Sequence, residues 1–180
     1  FQVHVSDIIY VTNTGTGAGS SSNPASLVTA LSIAQPGSRL WLAAGTYVLS
    51  STLEIPDGVT IEGGFNSQSW IKSNSTPTIL SRAASNPDVS NMALVCLQGS
   101  NISNFTLQDL TITVADAATA GYSVYGVHLT GCSDYNITRC EINAGDGGDG
   151  QNGTDGIDGQ TGTNGGTGGV GNANAQSGQG

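Results

Sequence analysis

Charge is scarce in this chain. Only 9 % of its 180 residues are Asp, Glu, Lys or Arg, against roughly 25 % in a typical soluble domain. Cations are scarcest of all: Arg39, Lys72, Arg82 and Arg139 face thirteen acids, for a net charge of −9. Nucleic-acid and anionic-membrane binding both need clustered cations, so neither partner class fits. No apolar run approaches the ~20 residues needed to cross a bilayer, which excludes a helical membrane span. Cysteine is limited to Cys96, Cys132 and Cys140, whose spacing matches no zinc motif. Disorder driven by charge is also excluded, because apolar residues make up 37 % of the chain and fall in short runs.

What is abundant is glycine, at 27 residues, with Ser, Thr and Asn. This composition suits short strands joined by tight turns. Asp7 to Thr12 reads as a β-branched strand and residues 13–22 as a loop. Asn23-Pro24 looks like a helix N-cap followed by Pro, and Leu27, Val28, Leu31 and Ala34 fall at helical spacing before Pro36-Gly37. After Gly37 the pattern turns to strands: Leu40-Trp41-Leu42, Thr46-Tyr47-Val48, Leu53-Glu54-Ile55, Val59-Thr60-Ile61, Thr78-Ile79-Leu80 and Leu94–Leu97, with polar loops at 66–76 and 83–91. Residues 102–112 (Ile-Ser-Asn-Phe-Thr-Leu-Gln-Asp-Leu-Thr-Ile) recur as 132–142 (Cys-Ser-Asp-Tyr-Asn-Ile-Thr-Arg-Cys-Glu-Ile), thirty residues on. Short β units at such a period predict a solenoid, in which each coil buries its inward side chains against the next. The connections are too short for crossover helices.

The stretch from Pro36 to Tyr47, continued by Leu53 to Phe65, resembles the opening coils of the pectate-lyase-like right-handed parallel β-helices. The resemblance covers about residues 5–145. It implies an all-β right-handed parallel β-helix with an N-terminal capping helix. The expected divisions are 1–36 for the strand, loop and cap, 37–144 for the coils, and 145–180 for a Gly-rich segment. Leu27, Val28 and Leu31 would cover the open end, where bare strand edges otherwise invite aggregation. Ser38 departs from the Asp that many members carry after the Gly. The superfamily includes polysaccharide lyases and hydrolases, surface adhesins and phage tailspikes, so fold alone does not choose among them.

From Gly147 to Gly171 every third residue is Gly, with no Pro at the other positions. Packed polyglycine-II-like strands, a flexible linker and a collagen-like trimer all remain open. Calcium is the one cofactor considered: Asp146, Asp149, Asp155 and Asp158 lie in this run, against a plain reading as an acidic, solubilising loop. The calcium-binding Gly-rich nonapeptide is not matched, since Asn152 stands where it requires Asp.

No catalytic constellation is visible. Asp109 and Arg139 occupy matching repeat positions and read as an ion pair between adjacent coils. Glu54, Glu62 and Glu141 fall on strands, and no two are expected to share a site. Cys132 and Cys140 replace core residues Ile102 and Leu110, so buried thiols and one disulfide both remain open. His128 should point outward, and His4 has no supporting context. Sequons at Asn74, Asn101, Asn104, Asn136 and Asn152 are uninformative. Trp70, Tyr122 and Tyr125, placed in loops, are candidates for ligand contact or for local packing.

A start at Phe1 and a Gly-rich finish suggest a chain exported after leader removal and continuing further. The expected role is a secreted or cell-surface β-helix, structural or adhesive, of the kind carried by bacterial secretion machinery, with a carbohydrate or protein surface as partner. The alternatives are a carbohydrate-active enzyme whose active coils lie downstream, and a phage-type fibre head.

Overall fold

A computed structural model describes residues 7–73, 75–150 and 152–169. His4, the sequon at Asn74 and the end of the Gly-rich run lie outside the described residues. In chain order the elements are β1 (Ile8–Val11), α1 (Leu27–Ile33), β2 (Arg39–Ala43), β3 (Gly45–Leu49), β4 (Leu53–Glu54), β5 (Thr60–Phe65) and β6 (Thr78–Arg82). They continue with β7 (Ala93–Ser100), β8 (Thr106–Gln108), β9 (Thr111–Val114), β10 (Ser123–Thr130), β11 (Asn136–Thr138) and β12 (Glu141–Asn143).

Every pairing between these strands is parallel. They form three sheets, ordered β1-β2-β5-β8-β11, β3-β6-β9-β12 and β4-β7-β10, wound into a parallel β-solenoid of about four turns. The thirty-residue repeat is one turn: Thr106 faces Asn136, Thr111 faces Glu141 and Ala93 faces Ser123. Other turns differ in length. Arg39 faces Thr60, twenty-one residues on, whereas Thr60 faces Thr106, forty-six residues on. The strands stay in phase and the corners absorb the difference.

Register explains the core. Ile9, Leu40, Ile61, Leu107 and Ile137 stack in one column, and Tyr47, Leu80, Ile112 and Ile142 in another. Leu40, Ile61, Leu80, Leu107 and Ile112 are fully buried. Such burial contributes roughly 1.5–3 kcal/mol per large apolar side chain. In the last turn the columns surface: Tyr135, Ile137 and Ile142 are exposed, although Tyr135 stacks on Phe105 with ring centroids 5.1 Å apart.

The cap differs from expectation at its start. The helix begins after Ser26, whose hydroxyl accepts from the Thr29 amide, and not after Asn23. Ala25 is still extended, because its amide donates to Tyr10 O and its carbonyl accepts from Thr12 N. That pairing with β1 uses the backbone before a helix can form. Leu27 and Ala30 are buried and Leu31 packs on the core. Val28 does not seal the end as expected: it is 61 % exposed, one position round the helix from the covered stripe.

A buried arginine interrupts the apolar pattern. Arg82 stands in the inward column between Leu49 and Val114 and is 1 % exposed. Its guanidinium donates to the carbonyls of Val95 (3.0 Å), Ser85 (2.7 Å) and Asn86 (2.8 Å), and to that of Ala83. A buried charge is tolerated only when its hydrogen-bonding capacity is met, and main-chain oxygens meet it here.

The Gly-rich segment first follows the solenoid. Ala117 N donates to Asp146 O, Gly121 N to Asp149 O and Gly148 N to Tyr122 O. From Gly150 to Gly169 no described glycine has another group within 4 Å of where a Cβ would stand. Close backbone packing of the polyglycine-II kind is therefore absent among the described residues.

Candidate functional site

The outer face of the β1-β2-β5-β8-β11 sheet gathers the chain's polar chemistry. Register places Tyr10, Trp41, Glu62, Gln108 and Thr138 in a row across five strands. β5 turns outward after Glu62 through Gly63-Gly64, and Gly64 adopts φ +86°. The following loop returns over the sheet, with Lys72 pairing with Phe65.

At one end of the row lies an aromatic cluster. Trp41 stacks on Phe65 with centroids 4.4 Å apart and planes 13° from parallel. Tyr10 meets Trp41 (5.7 Å) and Trp70 (4.7 Å) edge to face, geometries favoured by the ring quadrupoles. Trp70 is fixed by its indole N–H, which donates to Ser21 O at 3.1 Å. The Trp41 indole N–H is buried and has no hydrogen-bond partner among the described residues.

Beside the aromatics runs an ion cluster spanning the turns. Arg39 Nη2 donates to Glu62 Oε2 at 2.8 Å. Lys72 bridges Glu62 and Asp109. Arg139 clamps Asp109 through Nε to Oδ1 (2.5 Å) and Nη2 to Oδ2 (2.8 Å). The Gln108 amide nitrogen donates to Glu62 Oε1 at 3.1 Å and to Asp109 Oδ2 at 3.2 Å, so these oxygens lie no more than about 6 Å apart. The expected pairing of Asp109 with Arg139 is present. Sequence reading did not place Glu62 with Asp109, yet Lys72 joins the two. The signal for Glu62 was available in the register of Ile61-Glu62 with Leu107-Gln108; nothing in the loop sequence announced that Lys72 would fold back.

The two carboxylate side chains are nearly covered, at 8 % and 10 % exposure, while Arg139 remains 57 % exposed. Hydrogen bonding from Arg139 chiefly, and from Lys72 and Gln108, holds the Asp109 carboxyl well below the usual carboxylate range, against the opposing effect of burial. The cluster holds three of the chain's four cations; the fourth, Arg82, is buried. Next to it a cleft of about 280 Å³ opens between Ser73, Thr76–Thr78 and Asp109–Thr111, rimmed by Arg139 and Glu141. This arrangement can bind a polar ligand through the outer edges of Arg39 and Arg139. Asp109 itself is poorly suited to act as a general acid, since that role needs a raised pKa.

The remaining expected residues are scattered. Tyr125 lies on β10 and not in a loop, and its ring leans on His128 with centroids 4.9 Å apart. Tyr122 is half-buried near Ala84, Pro87 and Leu94. Glu54 is on β4, far in register from Glu62, and Glu141 stands at the rim of the cleft. The three cysteines are free; Cys96 is buried, and Cys132 and Cys140 are only half-buried because nothing described stacks on their turn. Asp146 and Asp149 contribute main-chain bonds to the 115–122 turn, and Asp155 and Asp158 are exposed. Among the described residues no three His, Cys, Asp or Glu side chains gather as a metal-binding group, and no helix is long and apolar enough to cross a membrane.

No curated protein and no solved structure matches the chain. The family described as rhamnogalacturonase A/epimerase, pectate lyase-like, matches residues 9–179. With the parallel solenoid and its decorated outer sheet in view, the chain belongs to the pectate-lyase-like rhamnogalacturonase A/epimerase family.

Proposed function

We propose that this chain is an extracellular β-solenoid with a structural or adhesive role, which holds a polysaccharide along the outer face of its β1-β2-β5-β8-β11 sheet. One observation carries the reading: in a chain of net charge −9, every cation that reaches the surface is collected on this strip, beside Tyr10, Trp41 and Trp70. Guanidinium groups match carboxylates and hydroxyls in planar geometry, and aromatic faces suit the apolar faces of sugar rings. Membership of a family named for a rhamnogalacturonase and an epimerase supports the same class of partner.

A carbohydrate-active enzyme is the second reading. It is favoured by two carboxylates that both accept from the Gln108 amide and so lie close together, as glycosidase carboxyl pairs flank one bond. Against it, both are tied to cations and Asp109 is held ionised.

Calorimetry with hexagalacturonate separates these. Binding that weakens at least tenfold in the Arg39→Ala/Arg139→Ala double variant, with no new reducing or unsaturated ends, supports the adhesive reading. Binding indifferent to both arginines defeats it. Product release by the parent chain replaces it with the enzymatic one.

A further inference from the structure

We propose that Asn152 and Asn164, in the Gly-rich segment, are sites of spontaneous modification: each loses its side-chain amide nitrogen as ammonia and becomes aspartate or isoaspartate, with water as the only co-reactant. The proposal is independent of the ligand reading of the first sheet, because it uses none of those residues.

Asn is followed by Gly twice in the chain, at Asn152-Gly153 and Asn164-Gly165, and both pairs lie in this segment. The coil holds the segment as far as Asp149, whose carbonyl accepts from Gly121 N at 2.7 Å. Beyond it Asn152, Gly153, Asn164 and Gly165 are all exposed. At Gly153 and Gly165 nothing lies within 4 Å of where a Cβ would stand. Among the described residues neither glycine amide is engaged in a main-chain hydrogen bond.

The chemistry needs that freedom. The Gly153 main-chain nitrogen gives its proton to solvent and attacks Asn152 Cγ. A bond from that nitrogen to Cγ forms, the bond from Cγ to the side-chain nitrogen breaks, and the side-chain nitrogen leaves as ammonia. The product is a cyclic imide, which water opens at either of its carbonyls. Opening at Cγ leaves an ordinary aspartate. Opening at the main-chain carbonyl leaves isoaspartate, whose main chain runs through Cβ. In balance, an amide and a water become a carboxylate and an ammonium ion. Glycine in second place makes the step fast: its backbone reaches conformations closed to other residues, and no Cβ hinders the approach of its nitrogen.

The coils supply the contrast. Asn101, Asn104 and Asn136 precede Ile102, Phe105 and Ile137, whose side chains crowd the attacking nitrogen. Asn66 precedes the smaller Ser67, but its side-chain oxygen accepts from the Gln68 and Ser69 amides at 2.9 Å each and from the Ser69 hydroxyl at 3.2 Å. Asp57-Gly58 is the acidic counterpart of the reactive pair. There the Gly58 amide donates to Ser103 O at 2.9 Å, and Asp57 Oδ1 accepts from Ser103 N at 2.6 Å, so both reacting groups are occupied.

The product changes the segment in two ways. Each conversion adds a negative charge to a chain already at −9, beside Asp149, Asp155 and Asp158. Isoaspartate also lengthens the main chain by one atom, so the glycines after Asn152 fall out of step with those before it. The segment thus records the protein's age in its charge and its spacing.

The test is timed incubation of the whole folded chain in mildly alkaline buffer, read by isoelectric focusing, released ammonia and fragmentation mass spectrometry. Conversion at Asn152 and Asn164 is expected to run at least about tenfold faster than at Asn66, Asn101, Asn104 or Asn136, with isoaspartate and aspartate both formed. Gly153→Val and Gly165→Val, placed where a Cβ meets nothing, are each expected to slow their own site at least about tenfold and leave the other unchanged. The proposal is overturned if the two sites convert no faster than the coil asparagines, or if the valine variants convert at the parent's rate. Conversion without any isoaspartate also overturns it, because direct hydrolysis of the amide gives aspartate alone.

Discussion

Replacing Asp109 by Asn removes one charge and almost no volume, and it tests whether the ion cluster ties the turns together. The site tolerates the change in backbone terms: residue 109 has φ +53°, a conformation Asn adopts at least as readily as Asp. What is lost is the double clamp from Arg139 and half of the Lys72 bridge. An exposed ion pair contributes about 0–1 kcal/mol, and breaking a buried one costs about 3–5 kcal/mol. Asp109 lies between these limits, with its own side chain 10 % exposed but Lys72 at 27 %. We expect a loss of about 1–2 kcal/mol near neutral pH, read as a lower urea midpoint at unchanged slope. The pH dependence follows in sign. Because the folded-state carboxyl lies below its unfolded value, its stabilisation is complete above about pH 4 and declines as the pH falls toward the folded value. The gap between parent and variant should therefore shrink as the pH falls from about 4 to about 2. A gap that stays constant over this range, or no gap at neutral pH, refutes the reasoning.

Other perturbations probe the scaffold. Leu107→Ala, in the column between Ile61 and Ile137, should cost about 2–5 kcal/mol in denaturant unfolding. Gly63→Ala should disturb the sheet directly, since a Cβ there would strike the Asp109 carbonyl oxygen and come within 2.7 Å of Thr78 Cβ; a destabilisation above about 2 kcal/mol is expected. Under native conditions a thiol reagent should modify Cys132 and Cys140 well before Cys96, whose thiol burial pushes up to about 12. Mass spectrometry of the labelled chain reads the order, and early labelling of Cys96 would contradict its place in the core.

The solenoid was legible because its signal is local and repeated. Residues 102–112 and 132–142 carry the same apolar positions, and the strands pair at that offset. The Asp109–Arg139 pair followed from the same alignment. What sequence reasoning missed came from long corners and from facing. Lys72 reaches Glu62 only because its loop doubles back, and no periodicity records that path. Val28 fits helical spacing, but a seven-residue helix covers only a narrow stripe. Arg82 reads as a surface residue by type, yet strand alternation turns it inward and neighbouring carbonyls make the position tolerable. Tyr125 reads as a loop residue in the sequence but lies on β10, where the neighbouring Gly126 leaves room for Ile142.

The unequal spacing of the turns has an evolutionary corollary. A segment added at a corner displaces no rung, so the scaffold can gain or shed surface equipment while its interior remains unaltered. The extra chain between β5 and β6, which delivers Trp70 and Lys72 to the outer sheet, shows how such an addition supplies new side chains to an old surface. Divergence in ligand preference can then proceed by editing corners alone.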